Sequence, residues 1–267
     1  MNDLERSIML AYFRLEEVQR ERLRLERIWH PEKFRWEKRG APPEIGWSAL
    51  IRQEALASLG YGESRYQELV SLEANTKREL EGLAEEHPIH IHFQRIRGLS
   101  SYTCGAFIAA SGDIDRTATV GQYWKGMGLD VLNEDVKVGN KTIFKAGEVP
   151  RRVRGSKGMD RPRPCPAYVS KVGEQIRQQI TRSQGRLYEK YAEFRLEYDA
   201  KYPDRPKLFN FKAALRSTQK LLYSCLWREW KLSRGVTPPM PFAFEILKHD
   251  PGHFVTIDWF YEPVVVV

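Results

Sequence analysis

Cationic forks that match phosphate oxygens are the chemistry this sequence concentrates. Between Lys141 and Arg186 stand twelve basic residues: Lys141, Lys145, Arg151, Arg152, Arg154, Lys157, Arg161, Arg163, Lys171, Arg177, Arg182 and Arg186. Against them are three acids, Glu148, Asp160 and Glu174. The window is therefore +9 in a chain of 267 residues whose net charge is +8, so the remainder is slightly acidic. Arginine predominates, and its planar guanidinium pairs with phosphate through two parallel N–H bonds. Half of the window, GEVPRRVRGSKGMDRPRPCP from Gly147 to Pro166, is punctuated by Gly and Pro and reads as a loop. A basic loop can follow a phosphate backbone. A charged loop that only aids solubility is the competing account, but it gives no cause for so sharp a segregation.

Other site chemistries find less support. Metal-dependent cleavage needs clustered carboxylates. Asp113 and Asp115 are the close aspartates of the second half, and turn and cap roles explain them equally well. The histidines, His30, His87, His90, His92, His249 and His253, form two short-spaced pairs with no evident third ligand, so no metal is expected. Cys104, Cys165 and Cys225 have neither zinc-ligand spacing nor a disulfide framework, which fits a reducing compartment. There is no Gly-Lys-Ser/Thr phosphate loop and no dinucleotide fingerprint, so no cofactor is expected and the chain reads as a non-enzyme. No run approaches the roughly 18 apolar residues of a membrane span, and the opening Met-Asn-Asp-Leu-Glu-Arg holds no apolar stretch. A cytosolic protein is expected.

The elements that must position the basic residues are helical, and the expected fold is all-α. Residues 3–30 form one long helix with Leu4, Ile8, Ala11, Leu15, Val18, Leu25 and Trp29 on a heptad seam that Arg22 interrupts. The seam predicts a coiled coil in which Arg22 fixes register or meets a partner's acid. An amphipathic helix packed within its own domain is the alternative. Helices are also expected over about 48–59 and 63–86, the latter interrupted at Glu73 and Thr76. The first and third would pack antiparallel as an arm, a common dimer interface. IHIHF, residues 89–93, alternates like a short strand or extended linker, and the domain boundary is placed there: 1–92 as arm, 93–267 as the second domain.

Gly98 precedes an apolar helix through Ile108 that Gly112 ends, and Asp115 is positioned to cap the next helix. This is either a plain helical hairpin or a helix-hairpin-helix whose amides near Gly98 contact a phosphate. Two long helices follow, about 167–201 and 207–233. Trp227 and Trp230 are read as core. The apolar tail HFVTIDWFYEPVVVV is either a docked strand or a partner-binding segment.

Four stretches carry a family resemblance: IRGLSSYTCGAFIAASGDIDRTATVGQYWKGMGL (96–129), PRRVRGSKG (150–158), KVGEQIRQQI (171–180) and LRSTQKLLYSCLWREWKLSRGVTPP (215–239). In this order they resemble the C-terminal domain of bridge-RNA-guided insertion-sequence transposases. The acidic RuvC-like nuclease domain of those enzymes has no counterpart here, and a helical arm stands in its place. Arm plus such a domain looks like the Nop-type proteins that scaffold box C/D guide-RNA particles. It is most similar to the nuclease-less Tas proteins of tandem interspaced guide RNA systems. The resemblance implies a dimeric ribonucleoprotein that binds a structured guide RNA and is directed by base pairing to a nucleic-acid target, DNA before RNA. The insertion-sequence relatives use a serine nucleophile, for which Ser156 among its basic neighbours is the nearest candidate. A divergent transposase subunit cutting through Ser156 is thus the alternative, with a phosphate-binding loop serine as the plainer role.

Overall fold

The computed structural model describes residues 1–29, 54, 57, 58, 60–129, 136–138, 141–144, 167–240 and 254–262. Helix α1 spans Asp3–Trp29 and α2 spans Glu63–Glu85. They pack antiparallel, as Arg14 with Glu79, Gln19 with Glu73 and Arg65 with Glu21 record along their length. Of the expected helix over 48–59, Glu54, Ala57 and Ser58 are helical and the remainder lies outside the described residues.

The heptad seam closes within the chain. Ile8, Ala11, Leu15, Val18 and Leu25 are buried, as are Tyr66, Leu69, Leu80 and Ala84 of α2. Leu4 is partly buried against the same core, and the side chain of Trp29 lies outside what is described. Of the dimer face expected over Leu4, Ile8, Ala11, Leu15, Val18, Arg22, Leu25 and Trp29, the buried Ile8, Ala11, Leu15, Val18 and Leu25 are therefore unavailable. The reason is physical: a 3-4 repeat demands an apolar partner and is indifferent to whose chain supplies it. Two of the three polar interruptions of the arm answer each other, because Arg22 Nε donates to Glu73 of α2 while its Nη1 donates to Glu26 at 2.8 Å. Thr76, the other interruption, is buried and returns its hydroxyl to the Leu72 carbonyl at 2.8 Å.

Helix α3, His90–Arg95, replaces the expected strand at IHIHF. Ile89, Phe93 and Ile96 are buried while Ile91 is exposed, so the true period is the helical 4-3 spacing and the alternation is incidental. Helix α4, Ser101–Ser111, is capped by Ser100, whose hydroxyl accepts from Thr103 N, and ends at Gly112 with φ 65°. Thr103 through Ala110 are all buried, as in a central helix that is apolar on every side. Small residues let its neighbours close in: a Cβ on Gly105 would stand 2.7 Å from Leu80 Cδ1 of α2. Phe107 meets Phe93 at 5.5 Å, Tyr223 at 5.1 Å and Tyr123 at 6.3 Å between ring centroids. One continuous core thus runs across the boundary expected at 92/93. A short 3-10 turn at Ile114–Arg116, capped by Asp113, leads to α5, Val120–Gly126. The cap of α5 is Thr119 rather than Asp115.

Among the described residues the second half is helical save for a small antiparallel hairpin, β1 Val136–Val138 with β2 Lys141–Phe144. The single helix expected over 167–201 is two: α6, Ala167–Arg182, and α7, Arg186–Lys201. The break falls at Ser183-Gln184-Gly185, where Gln184 takes a positive φ of 51°. Helix α8, Lys207–Ser233, presents Leu215, Leu222, Leu226, Trp227 and Trp230 to the core. The tail segment 254–262 docks on α8 as a 3-10 turn, Ile257–Phe260, rather than as a strand. Cys104 and Cys225 are free thiols in the interior, and Cys225 Sγ donates to the Val255 carbonyl at 3.4 Å. Among the described residues no helix is long and apolar enough to cross a membrane.

A buried carboxylate ties the ends of this core together. Glu5, in the first turn of α1, is fully buried. Its Oε1 accepts from Trp230 Nε1 at 2.9 Å and from Arg234, and lies 3.4 Å from His87 Nε2. Its Oε2 accepts from the Asn2 amide at 3.1 Å. Burial by itself raises the pKa, but the hydrogen bonds from His87, Arg234, Asn2 and Trp230 outweigh it and hold the carboxyl at about 2.

Candidate nucleic-acid interface

The helix break at 183–185 builds the site. The Ile96–Ser100 turn packs directly on it: Gly98 has φ +89°, and a Cβ there would lie 2.8 Å from Ser183 Cβ. Gly98 is thus required by backbone geometry and by the approach of α6. A Cβ on Gly185 would collide with Glu262 Oε1 at 2.1 Å and stand 3.1 Å from Arg97 Cβ, so Arg97 and the tail close over the break from either side. Two turns distant in sequence are in this way pressed together, and their cations with them.

The tail supplies aromatic floors. Glu262 pins it, its Oε1 accepting from Arg186 N at 3.2 Å and its own N–H donating to the Arg95 carbonyl at 3.2 Å. Lys190 Nζ sits 4.2 Å and the Arg186 guanidinium 5.7 Å from the centroid of Trp259. The Arg95 guanidinium stacks 3.7 Å over Tyr261, whose hydroxyl bonds His92 Nδ1. A cation held on a ring keeps its outward N–H groups available while losing less freedom on binding an anion. Burial raises the pKa of Tyr261 to about 12, so this phenol is a neutral prop.

Arg186 is partly neutralised by Glu189 at 2.8 Å, and Lys190 by Glu193. Arg95, Arg97 and Arg182 are exposed and have no ion-pair partner among the described residues. Three uncompensated guanidinium groups thus stand on the segments that meet here, with two further cations alongside, a charge set suited to an anionic ligand.

Several residues expected at the interface sit elsewhere. Lys171 is turned to α1, where Glu16 and Gln19 accept from its Nζ, the latter at 3.1 Å. Arg177 is held by Glu174 at 2.6 Å and by Gln219 at 3.2 Å. Both act as internal ties: Lys171 reaches α1, and Arg177 is held by Glu174 of its own helix and Gln219 of α8. Lys141 opens β2, paired with Val138. Lys145, Arg151, Arg152, Arg154, Ser156, Lys157, Arg161 and Arg163 lie outside the described residues, as do His30, His249 and His253. Gly98, Arg182 and Arg186 do come together, joined by Arg95, Arg97 and Lys190, which the charge window did not single out.

No family model matches this chain, and no curated protein matches it significantly. The 113–115 turn is tied to the chain around it. Asp113 accepts from the Met1 amine at 2.8 Å and from the Asp115 amide at 3.3 Å, an anchoring and capping arrangement. His90 bonds Ser101 Oγ at 2.9 Å, so His90 and His92 serve separate partners. Among the described residues no three His, Cys, Asp or Glu side chains gather into a metal site.

Proposed function

We propose that this protein is the RNA-binding component of a guide ribonucleoprotein. It holds a structured guide RNA through arginine contacts to phosphate and leaves sequence reading to base pairing with a target strand, DNA in the first instance. The observation that carries the reading is the convergence of Arg95, Arg97 and Arg182, uncompensated and exposed, at one turn from two distant chain segments. Surface cations in folded proteins are commonly offset by neighbouring acids, and a cluster left unpaired beside aromatic supports is the footprint of a polyanion ligand. The sequence resemblance to nuclease-less Tas proteins and the +9 window point the same way. No nuclease activity of its own is included in this reading. The particle is proposed to be cytosolic and dimeric, with the dimer formed through a surface other than the closed seam of α1.

The test begins with purification alongside the native genomic neighbourhood, the 260/280 nm ratio, and sequencing of any small RNA retained. A discrete, recurring RNA is expected. Charge reversal at Arg151, Arg152 and Arg154 is then expected to weaken binding and make the salt dependence shallower by about 2 in log–log slope, at ~0.7 for each phosphate set free. Clean protein that binds no RNA at low salt overturns the reading.

A further inference from the structure

The far end of α7 carries an arrangement that the phosphate patch does not explain. Helices α7 and α8 are joined by the 202–206 turn, and its tip is built inside out. The polar residue faces inward: Asn210 is 2% exposed, and its Nδ2 donates to Asp199 Oδ1 at 2.9 Å and to the Tyr202 carbonyl at 3.1 Å. The apolar residues face outward: Leu208 is 58% and Phe209 64% exposed. Fraying does not account for this. Arg195 grips Asp199 at 2.7 Å and the Lys207 carbonyl at 2.9 Å, and the Phe209 amide closes the first turn on the Pro206 carbonyl at 2.8 Å. A turn tied by these bonds that holds a leucine and a phenylalanine in water costs solvation without gaining core, so the placement is expected to serve a contact.

The surroundings select the partner. Lys201, Arg205, Lys207 and Lys212, close to Phe209 along the chain, are all exposed with no ion pair among the described residues, against one exposed acid in the turn, Asp204. Arg205 is fixed 3.8 Å over the ring of Tyr202, which itself stacks on Tyr198. An apolar protein partner would have to bury these four cations or bring four acids to them. A nucleic acid supplies both halves together, since every base has an apolar π-face and every nucleotide a phosphate. We propose that the α7–α8 tip is a second nucleic-acid contact, in which Phe209, flanked by Leu208, stacks on an unpaired or terminal base while Arg205, Lys207 and Lys212 hold the adjoining phosphates. Apolar wedges on basic surfaces act in this way at the ends and steps of duplexes. The inference rests on the nucleic-acid reading above but concerns a different surface.

The probe is a short RNA duplex bearing one unpaired 3′ 2-aminopurine, titrated with the full chain. Binding is expected to quench the fluorophore. Phe209→Ala should abolish the quenching and weaken affinity on the order of ten-fold. Its salt slope should stay unchanged, since the cations that grip phosphate are all kept, and Phe209→Trp should restore both signals. Lys207→Ala with Lys212→Ala should instead flatten the slope. The exposure of Phe209 means the variant folds, which a thermal melt checks. If the parent binds this RNA and Phe209→Ala binds and quenches equally, the wedge is overturned while the nucleic-acid reading stands. If the parent binds no RNA even at low salt, both fall. If Phe209→Ala leaves RNA binding intact but halves the mass by light scattering, the tip is a self-association surface and the wedge is again overturned.

Discussion

Replacing Glu5 by alanine is expected to destabilise the protein by about 3 kcal/mol, because it leaves the Trp230 N–H without its acceptor and Arg234 with Asp115 alone, at 3.5 Å, beside a buried void. Against a total stability on the order of 5–15 kcal/mol, that is a large share. Glu5→Gln keeps an acceptor for Trp230 but loses the charge that Arg234 opposes, and is expected to fall between parent and alanine variant. The pH dependence has a definite sign. The folded carboxyl titrates at about 2, below its ordinary value, so its contribution is complete at neutral pH. It declines as the pH drops below the unfolded value near 4.5 and is gone once the folded group protonates at about 2. Urea unfolding of parent and Glu5→Gln across that acid range checks this. The difference between them should shrink toward zero as the pH approaches 2, and a constant difference would remove the carboxylate from the explanation.

Arg97→Glu combined with Arg182→Glu is expected to lower RNA affinity on the order of ten- to hundred-fold near physiological salt, and to lower the salt slope by about 1.5. Both side chains are exposed and unpaired among the described residues, so the melting temperature should hold. Arg177→Glu is the informative control. It breaks the ties to Glu174 and Gln219, so its effect should appear in stability more than in the salt slope. Unchanged RNA affinity in the Arg97/Arg182 variant would move the interface away from the α6–α7 break.

The helices were legible because burial imposes a period. The seam of α1, the stripe of α8 and the capping glycine at 112 could all be read from spacing alone. What closed the seam could not, since the same heptad serves a partner chain or a second helix of its own. At 89–96 both periods were present, and the buried Ile89, Phe93 and Ile96 show that the 4-3 spacing was the one to follow. Glu5 was hidden for a different reason. An acid in a first helical turn ordinarily stabilises the helix from the solvent side, and nothing local announces partners at positions 87, 230 and 234. The interface was half visible. Charge counted along the chain singled out Arg182 and Arg186, but also Lys171, whose charge is engaged by α1, and Arg177, which is paired with Glu174 of its own helix and bonded to Gln219 of α8. It passed over Arg95 and Arg97, which reach the site only because a turn from the first half of the chain packs on the α6–α7 break.

The two interior thiols make the molecule its own chemical clock. Burial raises the pKa of Cys104 far above the ordinary thiol value and pushes Cys225 up to about 12, so neither offers a thiolate to an alkylating reagent while the fold is closed. Each reacts only in the fraction of molecules that has opened around it. Cys104 lies in the central helix, whereas Cys225 lies beneath the docked tail through its contact with Val255. Their labelling rates under the same reagent therefore time two events separately: lifting of the strap that supplies Trp259 and Tyr261, and opening of the whole core. A ligand that grips the cations above those rings should slow the Cys225 clock well before it slows the other.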